Sequence, residues 1–124
     1  MIKRIVIADD SATARMFIKR CLQIIGLGDA EMVEAEQGKE ALTAAKAEHT
    51  DLLLTDLNMP IMDGETLLKW VKASPKLMDM PVVVITSAGN PAKEQELLKL
   101  GALKVINKPI SPPALMEALS DFIE

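Results

Sequence analysis

The chain is poor in the residues that would staple it or bind a soft metal. Of its 124 residues one is cysteine, Cys21, and one is histidine, His49. A single cysteine excludes an internal disulfide framework and a cysteine-rich zinc site. No run approaches the ~20 apolar residues of a membrane span. The start, Met1-Ile2-Lys3-Arg4, reaches Asp9-Asp10 too early for the apolar core of a signal peptide. Positive charge is in deficit: 14 Lys and Arg against 18 Asp and Glu leave a formal net charge of −4. That argues against a nucleic-acid partner bound by phosphate neutralisation. Repeats, low-complexity tracts and linkers are missing as well. What remains is one soluble domain over residues 1–124, expected in the cytoplasm. Its 49% hydrophobic and 26% charged residues are globular values, and a chain this long buries roughly two-thirds of its unfolded surface.

Short apolar runs alternate with longer amphipathic ones. Ile5-Val6-Ile7-Ala8, Met32-Val33 with Ala35, Leu52-Leu53-Leu54, Val82-Val83-Val84-Ile85 and Val105-Ile106 lack in–out alternation, which suits strands covered on both faces. Helical patterns lie between them. Ser11 caps a stretch carrying Met16, Ile18, Leu22 and Ile25, stopped by Gly26. Lys39 to Glu48 is rich in helix formers. Gly64 to Lys72 carries Leu67, Leu68 and Val71. Pro91 suits a first helical turn, with Leu97, Leu98 and Leu100 before Gly101. Ser111 precedes Pro112-Pro113, and Leu115, Ala118, Leu119 and Phe122 follow at helical spacing. Five strand–helix units predict an α/β fold: a doubly wound five-stranded parallel sheet with five helices. Ligands of such sheets bind beyond the carboxyl ends of the strands.

Those ends are where the chemistry-bearing residues stand. Asp9 and Asp10 follow the first run, Asp56 ends the third, Thr86 and Ser87 follow the fourth, and Lys108 follows the fifth. Three carboxylates, a hydroxyl and an ammonium would converge at one edge. Carboxylates ~4–6 Å apart repel by several kcal/mol per pair at an effective dielectric of ~20, so protons or a cation must relieve them. Mg²⁺ suits such oxygens, and the lack of Cys or His there disfavours zinc. A carboxylate beside a metal and a lysine can act as a nucleophile toward phosphorus.

Singly, each residue has a plainer use: Asp9-Asp10 as a helix cap, Asp56 as a loop carboxylate, Thr86 as a cap, Lys108 as a solvated side chain. Their joint placement after four separate runs favours a site. His49 reads as a surface residue at a helix end and Cys21 as buried. Most of the eight methionines read as core filler, Trp70 and Phe122 as packing residues, and Gly64 as a turn residue.

Asp9-Asp10-Ser11, Leu52-Leu53-Leu54-Thr55-Asp56-Leu57-Asn58-Met59-Pro60 with Asp63-Gly64, Thr86-Ser87-Ala88 and Lys108-Pro109 together resemble the response-regulator receiver domain, of the single-domain, CheY-like kind. The resemblance covers nearly the whole chain. It implies a flavodoxin-like sheet of order 2-1-3-4-5. It implies that a histidine kinase or phosphotransfer protein phosphorylates Asp56 to change affinity for a downstream protein. Mg²⁺ would be held by Asp10, Asp56 and the Asn58 carbonyl, with Asp9 acting through water. Lys108 would pair with the phosphoryl group, Thr86 would hydrogen-bond it, and the Lys108-Pro109 bond would be cis.

The family's aromatic switch residue, three places before the lysine, is here Val105, and no tyrosine occurs to replace it. Asn58 and the small Ala88 flank the family's path for attacking water, which predicts a short-lived phosphoryl group. No output domain is expected, since Glu124 follows the last helix. Two other classes compete. A haloacid-dehalogenase-type phosphohydrolase also uses an aspartyl-phosphate, but its second aspartate would stand where Asn58 is. An FMN carrier needs a phosphate-cradling loop where Asp9-Asp10 would repel phosphate.

Overall fold

The computed structural model describes residues 1–87 and 90–122. Strands β1 (Arg4–Ala8), β2 (Glu31–Ala35), β3 (Leu52–Asp56), β4 (Val82–Thr86) and β5 (Lys104–Asn107) alternate with helices α1 (Ala12–Leu22), α2 (Gly38–Ala47), α3 (Gly64–Ala73), α4 (Pro91–Lys99) and α5 (Pro112–Ala118). All pairings are parallel, in the order β2-β1-β3-β4-β5. This is the predicted doubly wound sheet. Every residue of β1, β3 and β4 is buried, which is why these runs show no alternation. The flanking β2 and β5 are half-open and correspondingly weaker in sequence.

Alternate side chains feed two cores. Val6, Ala8, Leu53, Val82 and Val84 pack with Ala41, Ala45, Leu67, Leu68, Val71 and Leu97 of α2, α3 and α4. Ile5, Ile7, Leu52, Leu54, Val83 and Ile85 pack with Ile18, Cys21, Leu22, Leu115 and Leu119, on the side of α1 and α5. Strand side chains alternate across the sheet, so each strand serves both layers.

Helix starts at Ser11, Pro91 and Ser111 follow the predicted chemistry, and Asp63 and Asn90 are further caps that the sequence reading did not name. Ser11, Asp63, Asn90 and Ser111 each accept a hydrogen bond from a backbone N–H in the first turn, and Pro91 and Pro112 stand just inside. A π-helical turn, Gln23–Leu27, extends α1 and is broken by Gly26 at φ +96°, the left-handed conformation glycine adopts without Cβ strain.

Packing corrects three expectations. The buried stripe of α1 runs through Arg15, Ile18, Cys21 and Leu22, while Met16 and Phe17 are exposed. Arg15 can hold an inner position because its guanidinium donates to the Asp9 carbonyl at 2.6 Å and to Glu34 at 2.9 Å, leaving Met16 on the outside. Trp70 is 55% exposed, because α3 spends its inner face on Gly64, Leu67, Leu68 and Val71. Phe122 lies beyond the end of α5 and is also exposed, as are Met1, Met16, Met78 and Met116, so half of the eight methionines are not core filler, while Met32, Met59, Met62 and Met80 belong to or pack against the two cores. His49 and Cys21 stand as expected, one exposed and one buried.

Candidate functional site

β1 and β3 are hydrogen-bonded neighbours, with Ala8 opposite Thr55. Asp9, Asp10 and Asp56 therefore meet at one edge of the sheet, each offering a carboxylate oxygen within 4.8 Å of the others. β4 lies on the other side of β3 with Ile85 opposite Asp56, which sets Thr86 one step beyond the end of β3. β5 follows with Thr86 opposite Asn107, and the Lys108 N–H donates to the Thr86 carbonyl at 2.9 Å. Lys108 is thereby delivered to the same edge, and its peptide bond to Pro109 is cis. Sequence positions 9, 56, 86 and 108 come together without any long loop.

The ammonium of Lys108 sits between two carboxylates. Its Nζ is 3.0 Å from Asp9 Oδ2 and 3.3 Å from Asp56 Oδ2. Asp9 is buried, and its Oδ1 accepts from the Ser11 N–H at 2.9 Å. Asp56 is buried as well, its Oδ1 accepting from the Leu57 N–H at 2.8 Å. Burial first, and then the charge of Asp9, raise the Asp56 pKa; Lys108 and the Leu57 amide oppose them without winning. For Lys108, burial pulls downward, but the hydrogen bond and charge of Asp9 and the charge of Asp56 outweigh it, and the pKa is raised. One ammonium against three carboxylates leaves two negative charges. That residue of charge, on hard oxygen donors with Asp10 exposed, fits a divalent cation of the Mg²⁺ class.

The loop after Asp56 is tightly fixed. Gly64 donates to the Leu57 carbonyl at 2.8 Å. A Cβ at position 64 would lie 2.1 Å from the Asp56 carbonyl oxygen, so the turn residue of the sequence reading is a position that excludes every side chain. Gly38 donates to the Met62 carbonyl at 2.8 Å, pinning the loop to the start of α2. Asn58 lies in this loop and is exposed. Thr86 is fully buried. Ala88 lies outside the described residues, as does the part of the Thr86-Ser87-Ala88 motif that it completes. Val105 pairs with Val84 and packs against the core formed with α2, α3 and α4. Beside Lys108, an apolar hollow of about 370 Å³ is lined by Phe17, Ile18, Ile85, Pro109 and Ile110.

Arg15 is the site residue the sequence reading missed. It orients Asp9 by holding its carbonyl, and it is itself fixed by Glu34. The available signal was the charged Arg15 standing at helical spacing with the apolar Ile18, Leu22 and Ile25 of the inner stripe.

A family model described as the response regulator receiver domain matches residues 5–120. A CheY homolog of Campylobacter jejuni is 40% identical over 97% of this chain and 92% of its own length. CheY1 of Helicobacter pylori is 38% identical over 94% of this chain and 93% of its own. The polar-differentiation regulator DivK of Brucella ovis is 28% identical over 99% and 98%. Among solved structures, CheY4 of Vibrio cholerae superposes with a TM-score of 0.84 at 29% identity, covering 98% of both chains. Nothing in these likenesses supports the phosphohydrolase alternative, and Asn58 offers no acid for it.

Proposed function

The chain belongs to the response regulator receiver family, and from that premise we propose that Asp56 is the phosphorylated residue of a two-component or phosphorelay system. The reading takes residues 1–124 as one receiver unit. The donor is a phosphohistidine on a histidine kinase or phosphotransfer protein. A carboxylate oxygen of Asp56 attacks phosphorus as the phosphorus–nitrogen bond breaks; the imidazole nitrogen leaves with the bonding pair and takes up a proton. The product is an acyl phosphate on Asp56. The chain thus acts only on itself, in its own phosphorylation and dephosphorylation.

The observation that carries this reading is the Lys108 ammonium, 3.3 Å from Asp56 and held by the buried Asp9 at 3.0 Å. It is poised to meet the phosphoryl oxygens as their charge grows. Asp9, Asp10, Asp56 and the Asn58 backbone carbonyl would hold Mg²⁺, which supplies further positive charge toward those oxygens. The Thr86 hydroxyl donates a hydrogen bond to the phosphoryl group, and the surface around α4 and β5 changes as a result. Val105, packed in the core, leaves the switch to Thr86 and the backbone that follows it.

The downstream partner is a protein that reads that surface. The 40% and 38% identities to chemotaxis proteins, against 28% to the polar-differentiation regulator, favour a chemotaxis output. A kinase charged from ATP puts the chain in the cytoplasm, and no helix among the described residues is long and apolar enough to cross a membrane.

Incubation with acetyl phosphate and Mg²⁺ tests the assignment. Wild type gains one acid-stable, alkali-labile phosphoryl group, and Asp56→Asn gains none while keeping its fold. Robust acyl-phosphate formation in Asp56→Asn would move the acceptor elsewhere.

A further inference from the structure

Ile61 lies in the loop between Asp56 and α3. Its φ is +66°, and among the described residues it is the one non-glycine residue with positive φ. The Met62 N–H donates to the Pro60 carbonyl at 2.7 Å, an i→i+2 bond that closes a three-residue turn on Ile61. This is the rare and strained form of that turn. A β-branched side chain is a true outlier there, because its Cβ substituents crowd the backbone. Packing gives nothing in return, since Ile61 is 81% exposed.

The backbone has other reasons for its path. The Met62 carbonyl is held by Gly38, and Gly64 is held by Leu57 and seated against the Asp56 carbonyl. Glycine or asparagine would follow that path with less strain. The isoleucine side chain is therefore carried at a cost to the fold, on a tip fixed relative to the phosphoryl acceptor.

We propose that Ile61 is a donor-recognition residue: its side chain seats against an apolar patch beside the phosphohistidine of the protein that delivers the phosphoryl group. The inference rests on the reading of Asp56 as acceptor of a phosphohistidine. A protein bringing phosphorus into line with Asp56 must lie across this loop, whereas a small donor need not touch it. The tip is already presented in the unphosphorylated chain described here, which is the form a donor has to recognise. A downstream reader has to tell the two forms apart and gains nothing from a contact present in both. The loop's other exposed residues, Asn58, Pro60 and Asp63, surround one large apolar side chain with smaller or polar ones. That is the layout of a single anchoring contact with a tolerant rim.

The test compares wild type with Ile61→Asn, Ile61→Gly and Ile61→Val for two donors. One is acetyl phosphate with Mg²⁺. The other is the set of histidine kinases encoded with this chain, each purified and autophosphorylated with ATP. Ile61→Asn and Ile61→Gly should melt at or above the wild-type temperature and take phosphoryl from acetyl phosphate at the wild-type rate. Their kcat/KM with the fastest kinase should fall about tenfold, the scale of one lost anchor contact, and Ile61→Val should recover most of it. Unchanged transfer from the kinase in Ile61→Asn and Ile61→Gly overturns the proposal. So does an equal loss with acetyl phosphate, which would make Ile61 a shaper of the site. Failure of the acceptor reading has a different signature, namely wild type that takes phosphoryl from neither donor. Wild type labelled by acetyl phosphate and by none of the kinases removes the protein donor, and this inference with it.

Discussion

At the residue scale, the cluster at Asp9, Asp10 and Asp56 is a cost to the metal-free fold. Asp56 has its pKa raised by burial and by Asp9, and Lys108 only partly offsets this. Asp56→Asn removes a buried charge of similar shape and keeps a group able to accept from Leu57. It should raise the metal-free melting temperature by roughly 3–6 °C, about what 1 kcal/mol is worth in a domain of this size. Mg²⁺ should stabilise wild type further by binding only the folded form and should do little for Asp56→Asn. A lower metal-free melting temperature for Asp56→Asn would mean that the Lys108 contact outweighs the crowding. Asp9 differs, because it accepts from both Ser11 and Lys108, and its loss strands two donors. Gly64→Ala sets a Cβ against backbone, 2.1 Å from the Asp56 carbonyl, where no rotamer relieves it. It should cost about 1–3 kcal/mol in urea unfolding and, on the proposed reading, slow labelling of Asp56 by shifting the end of β3.

Elements show how far sequence reasoning reaches. Strand ends were legible because three of the five strands are buried on both faces and stop at polar residues. That alone located Asp9, Asp56 and Thr86; Lys108 follows the half-open β5 and was placed by the shorter apolar pair Val105-Ile106. Helix phase was less legible. Met16 and Trp70 look like core residues by type, and only the partners of Arg15 and the compact inner face of α3 explain their exposure. The left-handed turn at Ile61 was illegible, because it is imposed by Gly38 and Gly64 from outside the turn.

One contact between elements has a pH signature. Glu65, in the first turn of α3, pairs with Lys93 in the first turn of α4 and with Lys69 at 3.4 Å. Lys93 stands at a helix N-terminus, where a cation is disfavoured, so Glu65 is its compensation. The hydrogen bond from Lys93 holds the Glu65 pKa below the ordinary value of 4.5. A depressed acid stabilises the fold above its unfolded pKa and loses that contribution as pH falls through its folded pKa. Lys93→Gln should therefore be less stable than wild type at neutral pH, and the gap should close below the ordinary glutamate range. Denaturant midpoints of the two proteins across acid pH check this; a gap independent of pH would remove the ion pair as its cause.

For the whole molecule, the sheet separates two packed layers that share one polar edge. Asp9 and Lys108 reach that edge from opposite flanks of Asp56, while α4 packs with Val105 in the layer of α2 and α3, away from α1 and α5. A signal that begins at Asp56 and runs through Thr86, at the end of β4, should therefore move α4 and β5 and leave the α1–α5 layer nearly still. No aromatic ring stands at Val105 to swing between positions, so the amide shifts caused by beryllofluoride should concentrate in residues 90–107. The Thr86 hydroxyl supplies one hydrogen bond to a charged acceptor, worth about 1.5–3 kcal/mol, which is enough to reverse a two-state balance of a few kcal/mol. Thr86→Ala should still bind beryllofluoride, because Asp56, Lys108 and the carboxylate cluster are untouched, yet lose most of the shifts in α4. Val105→Tyr should change the size of those shifts more than the rate of phosphoryl loss. Wild-type shifts in α4 of Thr86→Ala would mean that the hydroxyl is not the route, and that the movement of Lys108 alone conveys the signal to β5.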